Sequence, residues 1–119
     1  MKFAKGCTRV RTPEGLLKFL RKKLPTPFPV KMEWRERLDG KAVIASTELK
    51  TPEGEQPYFL LLLSRNLLRY APRWAMIDTV VHEYAHCLAW TDVHRNLKDH
   101  GSLWAIAHGM AYQIYIGEL

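Results

Sequence analysis

The run His82-Glu83-Tyr84-Ala85-His86 lies inside a longer stretch, Pro72 to Trp90, that reads as one uninterrupted helix. Pro72 suits a first turn, where the missing N–H costs nothing. No Gly or Pro follows within the stretch, and apolar residues fall at Trp74, Ile77, Val80, Val81, Tyr84, Ala85, Leu88 and Ala89. So wide a stripe predicts a helix largely buried in a core. His82 and His86 are four residues apart, so their imidazoles stand one above the other on one helical face and can point at one cation. Glu83 lies about 100° further round. That takes it off the line of the two histidines but leaves it in reach of a water on the same cation. Two histidines and a glutamate buried without partners would be costly, and a metal with its water supplies those partners.

HExxH on a helix is the pattern of a zinc hydrolase with two His ligands and a Glu general base. Catalytic zinc takes three protein ligands and keeps a fourth position for water. In one known arrangement a Gly stands three residues after the second His and a third His three further on; here those positions hold Ala89 and Asp92. Asp92 can ligate zinc, but without the Gly the tight turn is harder to make. A Glu from a second helix is disfavoured, because the only Glu after Glu83 is Glu118. His94 and His108 remain open. His100 is the best candidate, in Asp99-His100-Gly101-Ser102-Leu103-Trp104. Asp99 or a neighbour can cap a helix there, and Gly101 permits close backbone approach. His100 would then sit at the first turn of a last helix, pointing back at the HExxH face.

HEYAH followed after thirteen residues by His100-Gly101-x-x-Trp104 resembles the SprT-like metallopeptidases, the group that includes the Spartan proteases. The lead-in Ile77-Asp78-Thr79-Val80-Val81 is similar to theirs, and Tyr58 to Leu63 stands where they have a strand. The resemblance covers roughly residues 12–116, with its specific part from Asp78 to Trp104. It implies that His82, His86 and His100 hold zinc and that Glu83 is the base. Many relatives also carry a C-terminal zinc ribbon with paired cysteines. This chain has only Cys7 and Cys87, so the expectation is one domain over residues 1–119 with no ribbon.

The charge is uneven. Residues 1–50 hold 13 Lys and Arg against 5 Asp and Glu, whereas residues 51–119 hold 5 against 7, within a formal net charge of +6. The densest run, Lys18-Phe19-Leu20-Arg21-Lys22-Lys23, follows Lys2, Lys5, Arg9 and Arg11. A basic face recruits phosphates without sequence preference; equally, it can be a solvated face that keeps a protein soluble. The resemblance tilts the balance to DNA, because Spartan-type relatives act on proteins attached to DNA. Two cysteines far apart make no disulfide framework, and Cys87 reads as a small core residue. The N-terminus lacks the apolar stretch of a signal peptide, and no apolar run approaches membrane-spanning length. An intracellular monomer is expected.

Turn signals organise the rest. Thr12-Pro13-Glu14 starts a helix, with Thr12 as N-cap, and Leu16, Leu17, Phe19 and Leu20 form its buried face. Pro25, Pro27 and Pro29 end it. Val30, Met32 and Trp34 alternate with polar residues as in a half-buried strand. Asp39-Gly40 signals a hairpin, from which Lys41 to Glu48 returns as a second strand. Thr51-Pro52-Glu53-Gly54 reads as a turn. Tyr58 to Leu63 is apolar enough for a strand covered on both faces. A last helix spans about Ser102 to Ile116. The predicted fold is α+β, a minimal zincin-like domain: helix, three-stranded antiparallel or mixed sheet, active-site helix, C-terminal helix.

A protein or peptide substrate would pair, extended, with a strand edge beside the metal; Tyr58 to Leu63 is the nearest strand in sequence. Tyr112 and His108 are candidate oxyanion stabilisers, and Asp78, one turn before His82, can orient a ligand imidazole or be a surface carboxylate. Two other readings stand beside the peptidase: a non-catalytic zinc-containing DNA-binding module, which leaves Glu83 without a task, and a metal-dependent hydrolase of some other bond.

Overall fold

The computed structural model describes residues 12–38, 43–90 and 101–117. Helix α1 (Pro13–Lys23) begins as its sequence predicts. The Thr12 side chain accepts the Gly15 N–H at 3.0 Å, and Pro13 fills the first position. Leu16, Leu17 and Leu20 are buried, with Phe19 packed at the edge of the core.

Strands β1 (Val30–Arg35), β2 (Ala45–Lys50) and β3 (Tyr58–Ser64) form one mixed sheet in the order β1-β3-β2. β1 runs parallel to β3, and β2 runs antiparallel to it. This corrects the expected hairpin. β1 and β2 are not neighbours, because β3 lies between them, and β2 starts at Ala45 rather than Lys41. The Asp39-Gly40 turn itself is outside the described residues. The cause of the difference lies in β3. Its Phe59, Leu61, Leu62 and Leu63 are all buried, and a strand apolar on both faces belongs in the middle of a sheet. β1 and β2 are amphipathic and take the edges. β3, the strand nearest to α3 in sequence, has both edges paired and offers none to an extended peptide.

Thr51 to Gly54 forms a turn: Glu55 N–H donates to the Pro52 carbonyl at 3.2 Å, and Gly54 adopts a φ of 76°. A short helix absent from the sequence reading, α2 (Arg65–Leu68), follows β3 directly. Ser64 ends the strand and caps this helix, accepting the Leu67 N–H at 3.3 Å.

Helix α3 (Arg73–Leu88) carries HExxH. Ile77, Val80, Val81, Tyr84, Ala85 and Cys87 are buried, as the wide apolar stripe requires. Trp74 departs from that expectation and is 71% exposed. It lies on the buried stripe, three residues before Ile77, but in the first turn, where the helix overshoots the core beneath it. Tyr84 ties α3 to α1 by donating its hydroxyl to the Leu24 carbonyl. Burial pushes the Tyr84 phenol up from its ordinary range. Helix α4 (Ser102–Ile116) packs on α3 and ends at Gly117, whose φ of 83° suits a left-handed cap. Among the described residues no helix is long and apolar enough to cross a membrane.

Candidate metal centre

His82, Glu83 and His86 come together on α3. One ligand atom from each lies within 4.8 Å of the other two. The imidazole rings are 5.2 Å apart between centroids. The arrangement follows from helical spacing: the i, i+4 pair shares a face, while Tyr84 and Ala85, which lie between them with Glu83, turn into the core.

Glu83 is 7% exposed, an unusual place for a carboxylate unless it is engaged. It is engaged through both carboxylate oxygens. The Thr47 hydroxyl on β2 donates to Glu83 Oε1 at 2.8 Å and also lies 3.3 Å from the Glu83 carbonyl oxygen. Oε2, the second oxygen, is 3.9 Å from His82 Nε2. Thr47 therefore fixes the carboxylate's rotation and turns Oε2 to the imidazoles. Sequence reasoning missed Thr47. A threonine in a strand carries no signal of its own, and its role depends on which strand lies under α3.

Helix α4 closes the other side. Trp104 Nε1–H donates to the His82 carbonyl at 3.3 Å, and its ring lies 4.9 Å from His82 and 5.8 Å from His86. His108 follows one turn on, 4.8 Å from Trp104 and 6.3 Å from His82 between centroids. Tyr112, a further turn on, donates to Asp78 Oδ1 at 3.2 Å. His108 Nε2 stands 4.0 Å from the same oxygen. Asp78 is a half-exposed carboxylate on the helix surface, one of its two expected readings, and it receives α4. Burial first, and then the Asp78 charge, push the Tyr112 phenol above its ordinary range, so it stays a donor. Cys87 is buried and offers its thiol to the Glu83 carbonyl at 3.7 Å. Burial pushes that thiol well up, which makes it an inert core residue.

The donor set suits a zinc ion. Zinc takes imidazole nitrogen at about 2.0–2.1 Å and carboxylate oxygen at about 2.0–2.2 Å. Two imidazoles and a carboxylate within 4.8 Å of one another can surround one ion, with Glu83 set to one side. The third ligand expected at His100, and the alternatives at Asp92 and His94, lie outside the described residues. The described fold does start α4 at Ser102, two residues after His100, and α4 packs along the metal face.

A scan of protein-family models matches the SprT-like family over residues 15–115. The chain belongs to the SprT-like family. The match runs from α1 to the last turns of α4, so it takes in every described element that touches the His82-Glu83-His86 group. Neither the curated proteins nor the solved structures returned a match. As a member of this family carrying a His-Glu-His cluster on a helix, the chain has the features of a zinc metallopeptidase.

Proposed function

We propose that this SprT-like chain is a zinc-dependent endopeptidase, with His82, His86 and His100 as ligands and Glu83 as general base. The observation that carries the reading is the state of Glu83. A structural zinc site has no need of a buried carboxylate beside its ligands, still less of one held in place by a hydroxyl on another element. That favours catalysis over a non-catalytic zinc-containing DNA-binding module.

Zinc, when bound, lowers the pKa of a water towards about 7 and polarises a carbonyl. The remaining work falls to side chains. Glu83 Oε2 faces the imidazoles, so it is the atom placed to take the water's proton and later to pass it to the leaving amine. Thr47 keeps Oε1 occupied, so the carboxylate presents one oxygen rather than rotating between two. Trp104 covers both imidazoles and excludes water from that side. His108, on the α4 wall next to His82, is the described side chain best placed to meet charge developing on a substrate carbonyl; Tyr112 is committed to Asp78.

Substrate would lie along β2. Its sole strand partner among the described residues is β3, which leaves its outer edge to accept an extended peptide by main-chain hydrogen bonds. Thr47 is on this strand and touches Glu83, so a peptide paired there runs beside the base.

We also propose that the basic N-terminal half brings DNA-bound proteins to the site. Lys18, Arg21, Lys22 and Lys23 are all exposed on α1, as phosphate contact requires. Metal analysis of the purified protein, followed by cleavage of an unstructured protein with and without chelator and DNA, tests both parts. One zinc per chain and chelator-sensitive cleavage are expected, with DNA accelerating it. Cleavage untouched by chelator would refute the metallopeptidase. Cleavage indifferent to DNA would refute the recruitment.

A further inference from the structure

An open cleft lies on the β1 side of the sheet. It holds about 530 Å³ and is lined by Glu14 on α1, Trp34 on β1, and Arg65, Leu68 and Arg69 at α2. That is room for a large side chain and the backbone that carries it. The floor is apolar, because Trp34 and Leu68 pack against the core from its edge. Trp34 is held in place: its Nε1–H donates to Glu14 Oε2 at 2.7 Å. The rim is ionic. Glu36 meets Arg65 at 3.9 Å and Arg69 at 3.3 Å, with all three side chains about half exposed. Exposed pairs of this kind contribute little, so another carboxylate displaces Glu36 at small cost. Tyr70 directly follows Arg69 and is 88% exposed. Trp, Tyr and Arg are the side chains that dominate protein-binding hot spots, and here they gather about one concavity.

We propose that this cleft is an exosite for an acidic segment of a protein. One large apolar side chain of the segment fills the space over Trp34 and Leu68, and its carboxylates pair with Arg65 and Arg69 in place of Glu36. Charge complementarity selects the occupant. Residues 65–74 hold three arginines and no acid, so the partner brings negative charge. The acids that do stand at the cleft, Glu14 and Glu36, favour a peptide over a phosphate chain. A phosphate chain carries a charge on every unit and meets those carboxylates head-on. A peptide can set its own carboxylates at the arginines and turn backbone N–H groups to Glu14. The exosite also leaves the reaction site clear. Trp34 pairs with Leu63, and Leu63 with Ala45, on the strand that carries Thr47. The cleft and the base's support are therefore two strand spacings apart, about 10 Å. A protein held at β1 keeps the β2 edge open for the segment to be cut. Binding at the cleft stands by itself; its use in recruiting substrate rests on the peptidase reading above.

The test uses the full chain and a fluorescent twelve-residue peptide of Asp and Gly around a central Phe-Leu pair, read by anisotropy. One control peptide replaces Phe-Leu with Gly-Gly, a second replaces every Asp with Asn, and a twenty-residue deoxythymidine strand represents nucleic acid. Wild type should bind the first peptide at low salt, and more weakly as salt rises. Both controls should bind less well. Arg65→Ala with Arg69→Ala should weaken binding by about 30-fold, the loss typical of a hot spot, and Tyr70→Ala by about fivefold. Arg21→Ala with Lys22→Ala and Lys23→Ala should cost far less than the Arg65/Arg69 pair. Glu36→Gln removes the carboxylate that the segment displaces. It should tighten binding more than Glu53→Gln, which removes an exposed acid before the other end of β3. Circular dichroism and zinc content should match wild type throughout. No peptide binding at low salt, equal affinity for the Gly-Gly control, or wild-type affinity in the Arg65/Arg69 pair overturns the exosite. A deoxythymidine strand that needs Arg65 and Arg69 when the peptide does not assigns the cleft to nucleic acid and also overturns it. Cleavage separates the two readings. An unstructured protein fused to the acidic segment should be cut with a lower KM than the bare protein, and the Arg65/Arg69 pair should raise that KM and leave kcat alone. A KM indifferent to the segment overturns the recruiting role. Peptide binding intact with no cleavage of either protein refutes the peptidase and supports the cleft as a binding site.

Discussion

The Thr47 hydroxyl on β2 donates to Glu83 Oε1 on α3 at 2.8 Å, so the edge strand proposed to receive a peptide also holds the candidate base. One residue links the sheet edge to the His82-Glu83-His86 group, and this contact helps the carboxylate tolerate burial. Hydrogen bonds to charged groups are worth about 1.5–3 kcal/mol.

Thr47→Val keeps the shape and removes the donor. Turnover should fall about 10-fold to about 100-fold, in line with the loss of one such bond, while zinc content is unchanged. Thr47→Ser should retain most of the rate. Equal turnover in the valine and serine variants would remove Thr47 from the base's support.

His100→Ala should lower zinc affinity sharply, because the site would be left with two imidazoles. Removing even a partner of a ligand typically costs 10-fold to 100-fold in affinity, so losing a ligand should cost at least about 100-fold. Competition against a chromophoric chelator reads the value directly. Wild-type affinity in His100→Ala, with loss in Asp92→Ala or His94→Ala, would move the third ligand.

Tyr112→Phe deletes the bond to Asp78 and loosens α4 from α3. The pair is exposed, so the cost should be no more than about 1 kcal/mol in denaturant unfolding. A much larger loss would mean that the Asp78–Tyr112 contact supports more than helix docking.

Stability should also decline at alkaline pH. Tyr84 is held neutral in the fold, its phenol pushed up from 10.0 by burial. Above about pH 10 the unfolded chain gives up that proton and the folded chain keeps it. The unfolded state then binds fewer protons, and stability falls as pH rises. Tyr84→Phe should be less stable at pH 7, having lost the bond to Leu24, but should show a shallower alkaline decline in urea midpoints. Parallel declines in the two proteins would show that Tyr84 does not control the alkaline limb.

Much of this was legible in the chain because it depends on local periodicity. The i, i+4 histidines, the Thr12 cap with Pro13, and the apolar run of Tyr58 to Leu63 each announce their element without reference to distant residues. Strand order does not work that way. Asp39-Gly40 is a local turn signal, and it cannot register that β3, later in the chain, is apolar on both faces and takes the centre of the sheet. Thr47 was invisible for the same reason: its partner is 36 residues away. Trp74 continues the buried stripe in sequence, but the core ends before it does. The family-level His-Gly-x-x-Trp motif did carry tertiary information. Its Trp104 proves to lie over both imidazoles.

The most direct test of the central claim compares Glu83→Gln with wild type on one unstructured protein substrate, with zinc measured in both. The amide keeps the size and the Thr47 contact but cannot accept a proton from water. Both proteins should hold one zinc per chain and unfold alike, and the variant should be slower by at least about 10²-fold to 10⁴-fold. Full activity in Glu83→Gln, or a wild-type protein that binds no zinc, would contradict the account.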